Sequence, residues 1–177
     1  GNMGGPMAVN LAEAGHEVHG FDVVEEARER AAEQGVTIIE TAEEAAQGAS
    51  VVFTSLPNGG LVKQVLESVL AANEDAKTYV DVSTIAVAEA RELADTVSKA
   101  GSAFLDAPVS GGIAGAAAGT LAFMVGGTAE DFAKVKPLLD IMGKSVTHCG
   151  DIGNGQAVKA CNNICLLYTS DAADEGL

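Results

Sequence analysis

Apolar and polar residues alternate along this chain with two different periods. Short apolar runs, typical of strands buried in a sheet, occupy residues 18–21, 51–54, 78–82, 103–105, 121–125 and 145–148. Between them, apolar residues recur three or four positions apart, as in amphipathic helices, at 24–34, 42–46, 60–70, 86–99 and 130–142. Strands that alternate with helices predict βαβ units, and therefore an α/β fold with a mainly parallel sheet covered by helices.

Local signals refine two parts of this pattern. Thr41 and Thr128 each precede a helical stretch and are followed three residues later by a carboxylate, which predicts an N-cap at both positions. The stretch 111–119 (GGIAGAAAG) is rich in glycine and alanine. It is either a flexible linker or a backbone segment that approaches a neighbour closely, and the strand-like residues that resume directly after it favour the second interpretation.

Composition limits the class of protein. With 177 residues and 47% hydrophobic content, the chain is long enough for one full domain and a little more. Ten basic against 25 acidic residues give a net charge of −15, and no stretch clusters Lys and Arg, so a nucleic-acid partner is disfavoured. No apolar run approaches the roughly 20 residues that span a bilayer, so we expect no membrane partner.

The cysteines and histidines give no metal signal. Cys149, Cys161 and Cys165 form neither a disulfide framework nor a C-x-x-C pair, and we expect all three to be buried in a protein of a reducing compartment. The three histidines lack ligand spacing, so no metal is expected. We expect the cytoplasm of a bacterium, or the mitochondrial matrix in a eukaryote; a targeting segment before Gly1 would lie outside this sequence.

The first candidate site is the N-terminal loop. Gly1 and Gly4 stand three apart directly before a helical pattern, as do the last two glycines of G-x-G-x-x-G, whose backbone N–H groups hold a pyrophosphate. Asp22 ends the next strand about 20 residues on, where an acidic residue bonds the adenosine ribose of a dinucleotide. Its carboxylate would repel a 2′-phosphate and so favours NAD over NADP; the alternative is a solvated cap at a strand end.

Polar residues follow three further strands, at 55–57 (Ser-Leu-Pro), 81–84 (Asp-Val-Ser-Thr) and 106–112 (Asp-Ala-Pro-Val-Ser-Gly-Gly). Since ligands of open α/β sheets bind at the carboxyl ends of the strands, we expect these segments to face one crevice. The Ser-Gly-Gly segment offers a hydroxyl and unobstructed N–H donors that can hold a carboxylate. All three segments are equally compatible with ordinary turns.

The last candidate is a helix that carries Lys159 and Asn163, which project from one face because they are four residues apart. A lysine beside an apolar crevice has a depressed pKa and can accept a proton from an alcohol as hydride leaves its carbon. Asn163 could orient the same oxygen. On spacing alone, a solvated surface charge remains the more ordinary interpretation of Lys159.

Four motifs in order give the chain a family resemblance. They are G-x-M-G-x-x-M-x-x-N-L at 1–11, Leu-Pro at 56–57, Asp-Ala-Pro-Val-Ser-Gly-Gly at 106–112, and G-x-G-x-x-x-K-x-x-N-N at 153–163. This set resembles the β-hydroxyacid dehydrogenases over nearly the whole chain up to Asn163. The resemblance implies a Rossmann-type, doubly wound cofactor domain joined by a long helix to an all-helical domain, which forms the homo-oligomer interface.

The resemblance also implies roles for individual residues. Lys159 would be the catalytic lysine. The implied cofactor contacts are Gly1, Asn2, Met3, Gly4, Asp22, Leu56, Pro57 and Thr84. The implied substrate side consists of Ser83, Ser110, Gly111, Gly112 and Asn163.

The residues after the lysine are Ala-Cys-Asn-Asn and are similar to the branch of the family that oxidises 3-hydroxyisobutyrate to methylmalonate semialdehyde in valine breakdown. Branches that act on 6-phosphogluconate typically have His-Asn at the last two positions, and those that reduce tartronate semialdehyde often have Asn-Gln. The stretch 114–127 is also similar to the branch that oxidises 3-hydroxyisobutyrate. A tartronate semialdehyde reductase and, from another class, an NAD-binding pseudoenzyme that serves as a scaffold remain as alternatives.

Both ends of the chain depart from the family pattern. The family's first strand, central in the sheet, is missing before Gly1, and we divide the chain into a cofactor domain at 1–152 and the start of the interdomain helix at 153–177. After Asn163 the sequence turns polar, and residues from about 165 resemble translated adapter DNA; a natural divergent terminus is the alternative. Without the helical domain, we expect little or no turnover from the isolated chain.

Overall fold

The computed structural model describes the backbone of residues 1–174 and the side chains of residues 1–166. The helices are α1 (Gly4–Glu13), α2 (Glu25–Ala32), α3 (Ala42–Ala45), α4 (Gly59–Ala72), α5 (Val87–Lys99), α6 (Gly112–Ala117), α7 (Ala129–Met142) and α8 (Asn154–Asp174). The strands are β1 (His19–Gly20), β2 (Thr37–Ile38), β3 (Val51–Thr54), β4 (Thr78–Asp81), β5 (Ala103–Asp106), β6 (Val109–Ser110), β7 (Leu121–Gly126) and β8 (Gly143–Gly150).

The strands form two sheets. The larger has the order β3-β4-β5-β7-β6, with β8 also pairing with β7, and β1 pairs with β2 in a separate parallel sheet. Strands β3, β4 and β5 run parallel, as do β7 and β8, whereas β7 meets β5 and β6 antiparallel. The predicted α/β fold with a mainly parallel sheet is therefore confirmed. Because β3, β4 and β5 point the same way, the loops that follow them leave the sheet at one edge.

The hydrophobic core lies on both faces of this sheet. Val80 and Leu105 belong to a cluster with residues of α1 and α7, while their neighbours Tyr79 and Phe104 belong to a second cluster with residues of α4 and α5. Successive side chains of a strand point to opposite faces, so a strand that is apolar on both sides reads as a continuous apolar run. This explains why these strands were visible in the sequence.

Three short elements were missed. Strands β2 and β6 have two residues each, which is too short for a period to show. Helix α6 lies inside the Gly/Ala-rich stretch, which has no apolar stripe. Gly111 and Gly112 enter it with φ of 134° and 63°, and a Cβ on Gly119 would lie 3.0 Å from the carbonyl oxygen of Ile141, so the stretch is a closely packed segment.

The predicted N-caps and the predicted burial of the cysteines had different outcomes. Both N-caps are confirmed: Thr41 Oγ1 accepts a hydrogen bond from the Glu44 N–H, and Thr128 Oγ1 accepts one from the Asp131 N–H. The expectation of buried cysteines is wrong, since Cys161 and Cys165 are exposed on α8 and Cys149 is only half-buried. In the described part of the chain, no helix is long and apolar enough to cross a membrane, and no cluster of His, Cys, Asp or Glu could hold a metal ion.

Candidate functional site

A cleft of about 400 Å³ opens at the edge of the sheet where β3, β4 and β5 end. Its lining comes from the N-terminal loop, the loops after β3 and β4, the segment from β6 to the start of α6, and α8. The lining residues are Met3, Ser55, Leu56, Val82, Ser83, Thr84, Val109, Ser110, Gly111, Gly112, Lys159 and Leu166. Segments that are more than 150 residues apart in sequence therefore meet in one place, as the strand-end argument expects.

The structure brings together most of the residues that the sequence singled out. Those that line the cleft are Met3, Leu56, Ser83, Thr84, Ser110, Gly111, Gly112 and Lys159. Those that lie outside its lining are Gly1, Asn2, Gly4, Asp22, Pro57 and Asn163. Of this second group, Gly1 and Gly4 lie on the same loop as Met3, and Asp22 contacts that loop.

The N-terminal loop reaches the sheet edge because of a glycine. Helix α1 begins at Gly4, and a Cβ there would lie only 3.1 Å from Ser55 Cβ, so a side chain would push the loop away from the end of β3. The first N–H groups of a helix have no partner in a preceding turn, and an anion can use those that stay free. At α1 the Gly5 N–H already donates a hydrogen bond to the Gly1 carbonyl oxygen (3.0 Å). This close approach fits a dinucleotide whose pyrophosphate lies over the loop.

Asp22 lies beyond the end of β1, beside the loop. Its Oδ1 accepts a hydrogen bond from the Val24 N–H (2.9 Å), and its Oδ2 contacts the amino group of Gly1. Partial burial raises its pKa, but these hydrogen bonds outweigh that effect and the pKa is lowered overall, so the carboxyl group is ionised at neutral pH. A carboxylate here can accept hydrogen bonds from ribose hydroxyls.

Asp81 does not face the crevice as the sequence suggested. It is the last residue of β4 and fully buried, and its Oδ1 accepts hydrogen bonds from the hydroxyls of Thr54 (2.8 Å) and Ser83 (2.6 Å). Ser83 Oγ in turn accepts a hydrogen bond from the Leu56 N–H (2.9 Å). The alternation of the strand turns the Asp81 side chain inward. Its carboxyl group thus fixes two cleft-lining residues, Ser83 directly and Leu56 through Ser83.

Asp81→Asn is expected to weaken the pH dependence of folding stability. Burial raises the pKa of Asp81, and the nearby Asp106 adds to this, while hydrogen bonds from Ser83 and Thr54 oppose it. A raised pKa means that the folded chain holds the proton more tightly, so stability falls as pH rises from the ordinary value of 3.8 through the folded pKa. Asparagine keeps an oxygen for the hydroxyls and cannot ionise.

The measurement is urea unfolding from about pH 4 upward, with exposed Asp75→Asn as the control for a lost charge. The change of slope in Asp81→Asn is compared with that in Asp75→Asn and should be the larger of the two. An unaltered slope in Asp81→Asn would show that this carboxyl group ionises normally in the folded chain.

The segment after β5 supplies hydrogen-bonding groups to the cleft. Gly111 and Gly112 have positive φ and line the cleft beside Ser110. Asn162 Nδ2 donates a hydrogen bond to Ser110 Oγ (3.4 Å), a contact that the sequence analysis missed because it favoured Asn163. The signal was available, since Asn162 stands three residues after Lys159 and residues three apart share a helix face.

Lys159 lies on α8 with its side chain half-buried and lining the cleft. Partial burial lowers the pKa of Lys159 from the ordinary value of 10.5, because desolvation disfavours the ammonium form. A larger share of the side chain is therefore the neutral amine, which can accept a proton. The spacing in the sequence predicted which residues share a helix face with Lys159, but it did not predict the direction in which that face points.

Asp106 and Gln156 make hydrogen bonds at the start of α8 that the sequence did not predict. Asp106 ends β5 fully buried and, instead of facing the crevice, accepts hydrogen bonds from the Gly153 N–H (2.7 Å) and the Gln156 N–H (2.9 Å). Burial raises the pKa of Asp106, against these backbone hydrogen bonds. Gln156 Nε2 donates a hydrogen bond to the Ser83 carbonyl oxygen (2.8 Å). Gln156 precedes Lys159 by three residues, which was its only sequence signal.

Comparison with known proteins identifies a matching family and several relatives. The family described as "NAD binding domain of 6-phosphogluconate dehydrogenase" matches residues 1–150. A "Probable 3-hydroxyisobutyrate dehydrogenase" of Mycobacterium tuberculosis is 48% identical over 175 residues, covering 99% of this chain and 60% of that protein. An "NAD-dependent L-serine dehydrogenase" of Pseudomonas aeruginosa is 41% identical over 184 residues, covering 100% of this chain and 62% of that protein.

A solved structure matches the fold. The Mycobacterium tuberculosis 3-hydroxyisobutyrate dehydrogenase with L-serine superposes with a TM-score of 0.96 at 46% identity, over 99% of this chain and 60% of that chain. The chain thus spans about three fifths of the length of the relatives it matches.

Proposed function

The chain belongs to the β-hydroxyacid dehydrogenase family and carries its NAD-binding domain, and on this basis we propose that it is the cofactor-binding part of an NAD-dependent 3-hydroxyisobutyrate dehydrogenase. The reaction is the oxidation of the 3-hydroxyl group to an aldehyde, a step of valine breakdown. One observation supports this proposal most directly: Lys159, whose pKa is lowered, lines the same cleft as Ser110, Gly111 and Gly112.

The cofactor would be held by the N-terminal half of the chain. The loop of Gly1, Asn2, Met3 and Gly4 would take the pyrophosphate at the start of α1, and Asp22 the adenosine ribose. Leu56, Pro57 and Thr84 lie on the loops after β3 and β4 and would contact the remainder of the cofactor. Bound NAD supplies a hydride acceptor.

The substrate would be held by the opposite side of the cleft. Its carboxylate accepts hydrogen bonds from the Ser110 hydroxyl and the N–H groups of Gly111 and Gly112. Lys159, as the neutral amine, takes the proton from the substrate hydroxyl while the hydrogen on the same carbon leaves with its electron pair. In our proposal, Ser83 and Asn163 also contact the substrate.

The rate of oxidation is expected to rise with pH up to the pKa of Lys159, which lies below 10.5. Below that pKa the ammonium form dominates, and each pH unit lowers the fraction of base about tenfold. The reverse reaction needs the ammonium form, so its rate should fall as pH rises through the same value. The measurement is kcat against pH in both directions; profiles that rise together would contradict a proton acceptor at Lys159.

The substrate is tested in the whole protein, including the helical domain, by following NADH formation with 3-hydroxyisobutyrate, L-serine and glycerate, the alcohol related to tartronate semialdehyde. L-serine is a second candidate because a relative named for it is 41% identical. We expect the highest kcat/KM with 3-hydroxyisobutyrate. A preference for glycerate would favour the tartronate semialdehyde reductase, and NAD binding without oxidation of any acid would favour the scaffold.

For the whole protein we propose a helical domain after α8 that closes the cleft and forms a homo-oligomer interface. The division of the chain between residues 152 and 153 stays a prediction. The foreign origin of residues from about 165 also stays a prediction, and most of their side chains lie outside the described residues. The isolated 177-residue chain is accordingly expected to bind NAD but to show little or no turnover. We propose a bacterial cytoplasm, or a mitochondrial matrix if the source is eukaryotic.

A further inference from the structure

The first turn of α8 is attached to the end of β5 by a buried carboxylate. Asp106 has no exposed surface, and its two oxygens accept hydrogen bonds from the N–H groups of Gly153 and Gln156, 47 and 50 residues away. These N–H groups belong to the start of a helix, where they have no partner in a preceding turn and where the helix dipole favours a negative charge. Both oxygens of Asp106 are used in this way.

Glycines allow the helix to come this close. A Cβ on Gly155 would lie 2.7 Å from the Asp106 carbonyl oxygen and 2.8 Å from its Oδ2. A Cβ on Gly126, on the neighbouring strand β7, would overlap the other carboxylate oxygen. The start of α8 therefore packs directly against the carboxylate and has little freedom to shift.

A second attachment joins the same turn to the loop after β4. The Gln156 side chain is 2% exposed, donates a hydrogen bond to the Ser83 carbonyl oxygen (2.8 Å) and accepts one from the Ile85 N–H (3.1 Å). Ser83 and Thr84 on this loop line the cleft. The helix is thus fixed at once to the ends of β5 and β4.

Lys159 follows Gln156 by three residues, or about 4.5 Å along the helix axis. No hydrogen bond or ion pair holds the Lys159 ammonium group among the described residues, so its place in the cleft depends on its backbone. We infer that Asp106 is a positioning residue which, together with the Gln156 side chain, fixes the first turn of α8 and thereby the distance of Lys159 from the substrate. This inference rests on the proposed function of Lys159.

Two variants and one control test the inference in the full-length protein. Asp106→Asn keeps one oxygen but turns an NH₂ group toward one of the two backbone N–H groups. Gln156→Met keeps the size of the side chain, removes both of its hydrogen bonds and leaves the backbone N–H for Asp106. Asp131→Asn is the matched control, because this carboxylate also lies at a helix start, on α7, and accepts a hydrogen bond from Thr128 away from the cleft.

Three measurements are compared. We expect kcat to fall about 10- to 100-fold in both variants, since a displaced catalytic group costs rate, while KM for NAD changes less than about twofold. Amide hydrogen exchange over 153–163 should rise about tenfold in Asp106→Asn, consistent with loss of a hydrogen bond to a charged group, and stay unchanged in α7. The rate of Lys159 acetylation is measured against pH by mass spectrometry. The midpoint of this profile should move to higher pH in both variants, because the amine becomes hydrated.

A structural role alone would lower the melting temperature of Asp106→Asn and leave kcat, exchange at 153–163 and the Lys159 midpoint as in Asp131→Asn; that outcome overturns the inference. If Asp106→Asn does not fold, the same three readouts on Gln156→Met decide. If the unaltered protein oxidises none of the acids, the proposed function fails, whereas hydrogen exchange and acetylation still show whether Asp106 and Gln156 fix Lys159.

Discussion

In the whole protein, replacing Lys159 by alanine is expected to lower the rate of NADH formation from 3-hydroxyisobutyrate by about 10²- to 10⁴-fold, the usual contribution of a positioned general base. Lys159 is the residue with a lowered pKa that lines the cleft, and burial is the cause of the shift. The dissociation constant for NAD, measured by fluorescence titration, should change less than about twofold, because the predicted cofactor contacts lie on other loops.

Two further substitutions sharpen this test. Lys159→Arg keeps the positive charge, but a guanidinium group does not release its proton, so its rate should be as low as that of alanine. Lys136→Ala removes an exposed lysine of α7 that pairs with Asp140, and its rate should equal that of the unaltered protein. Full activity in Lys159→Arg would show that the lysine contributes charge and not proton transfer.

Replacing Asp22 by alanine is expected to shift the preference for NAD over NADP by about 10- to 100-fold, measured as the ratio of the two dissociation constants. Hydrogen bonds to a charged group contribute about 1.5–3 kcal/mol, and this carboxylate is placed to accept them from the ribose. Affinity for NAD should fall as those bonds are lost. Affinity for NADP should rise, because an ionised carboxyl group no longer faces the 2′-phosphate.

Glu26→Ala provides the control for Asp22. Glu26 is an exposed carboxylate in the first turn of α2, four residues away, so its removal changes the net charge equally without touching the loop. Its ratio of dissociation constants should stay within about twofold of the unaltered protein. A shift of the same size in both variants would mean that Asp22 acts only through the general field of the surface.

The sequence by itself determined the alternation of strands and helices and the segments that form the cleft. Strands buried on both faces, such as β4 and β5, read as apolar runs, and their following loops must leave a parallel sheet at one edge. Ser83 and Ser110 could therefore be selected from their positions after strands, whereas Lys159 was selected through the family motif at 153–163. Strands β2 and β6 escaped because they have only two residues each, and α6 escaped because its Gly/Ala-rich stretch has no apolar stripe.

Only the tertiary structure decided where the polar side chains at the strand ends point. Asp81 and Asp106 follow apolar strands just as the cleft-lining residues do, yet they are paired in register and turned inward. Likewise, spacing placed Lys159 on a helix face, but the direction of that face is set by Asp106 and Gln156. The physical reason is that hydrogen bonds between residues some 50 positions apart leave no periodic trace in the sequence, whereas local burial does.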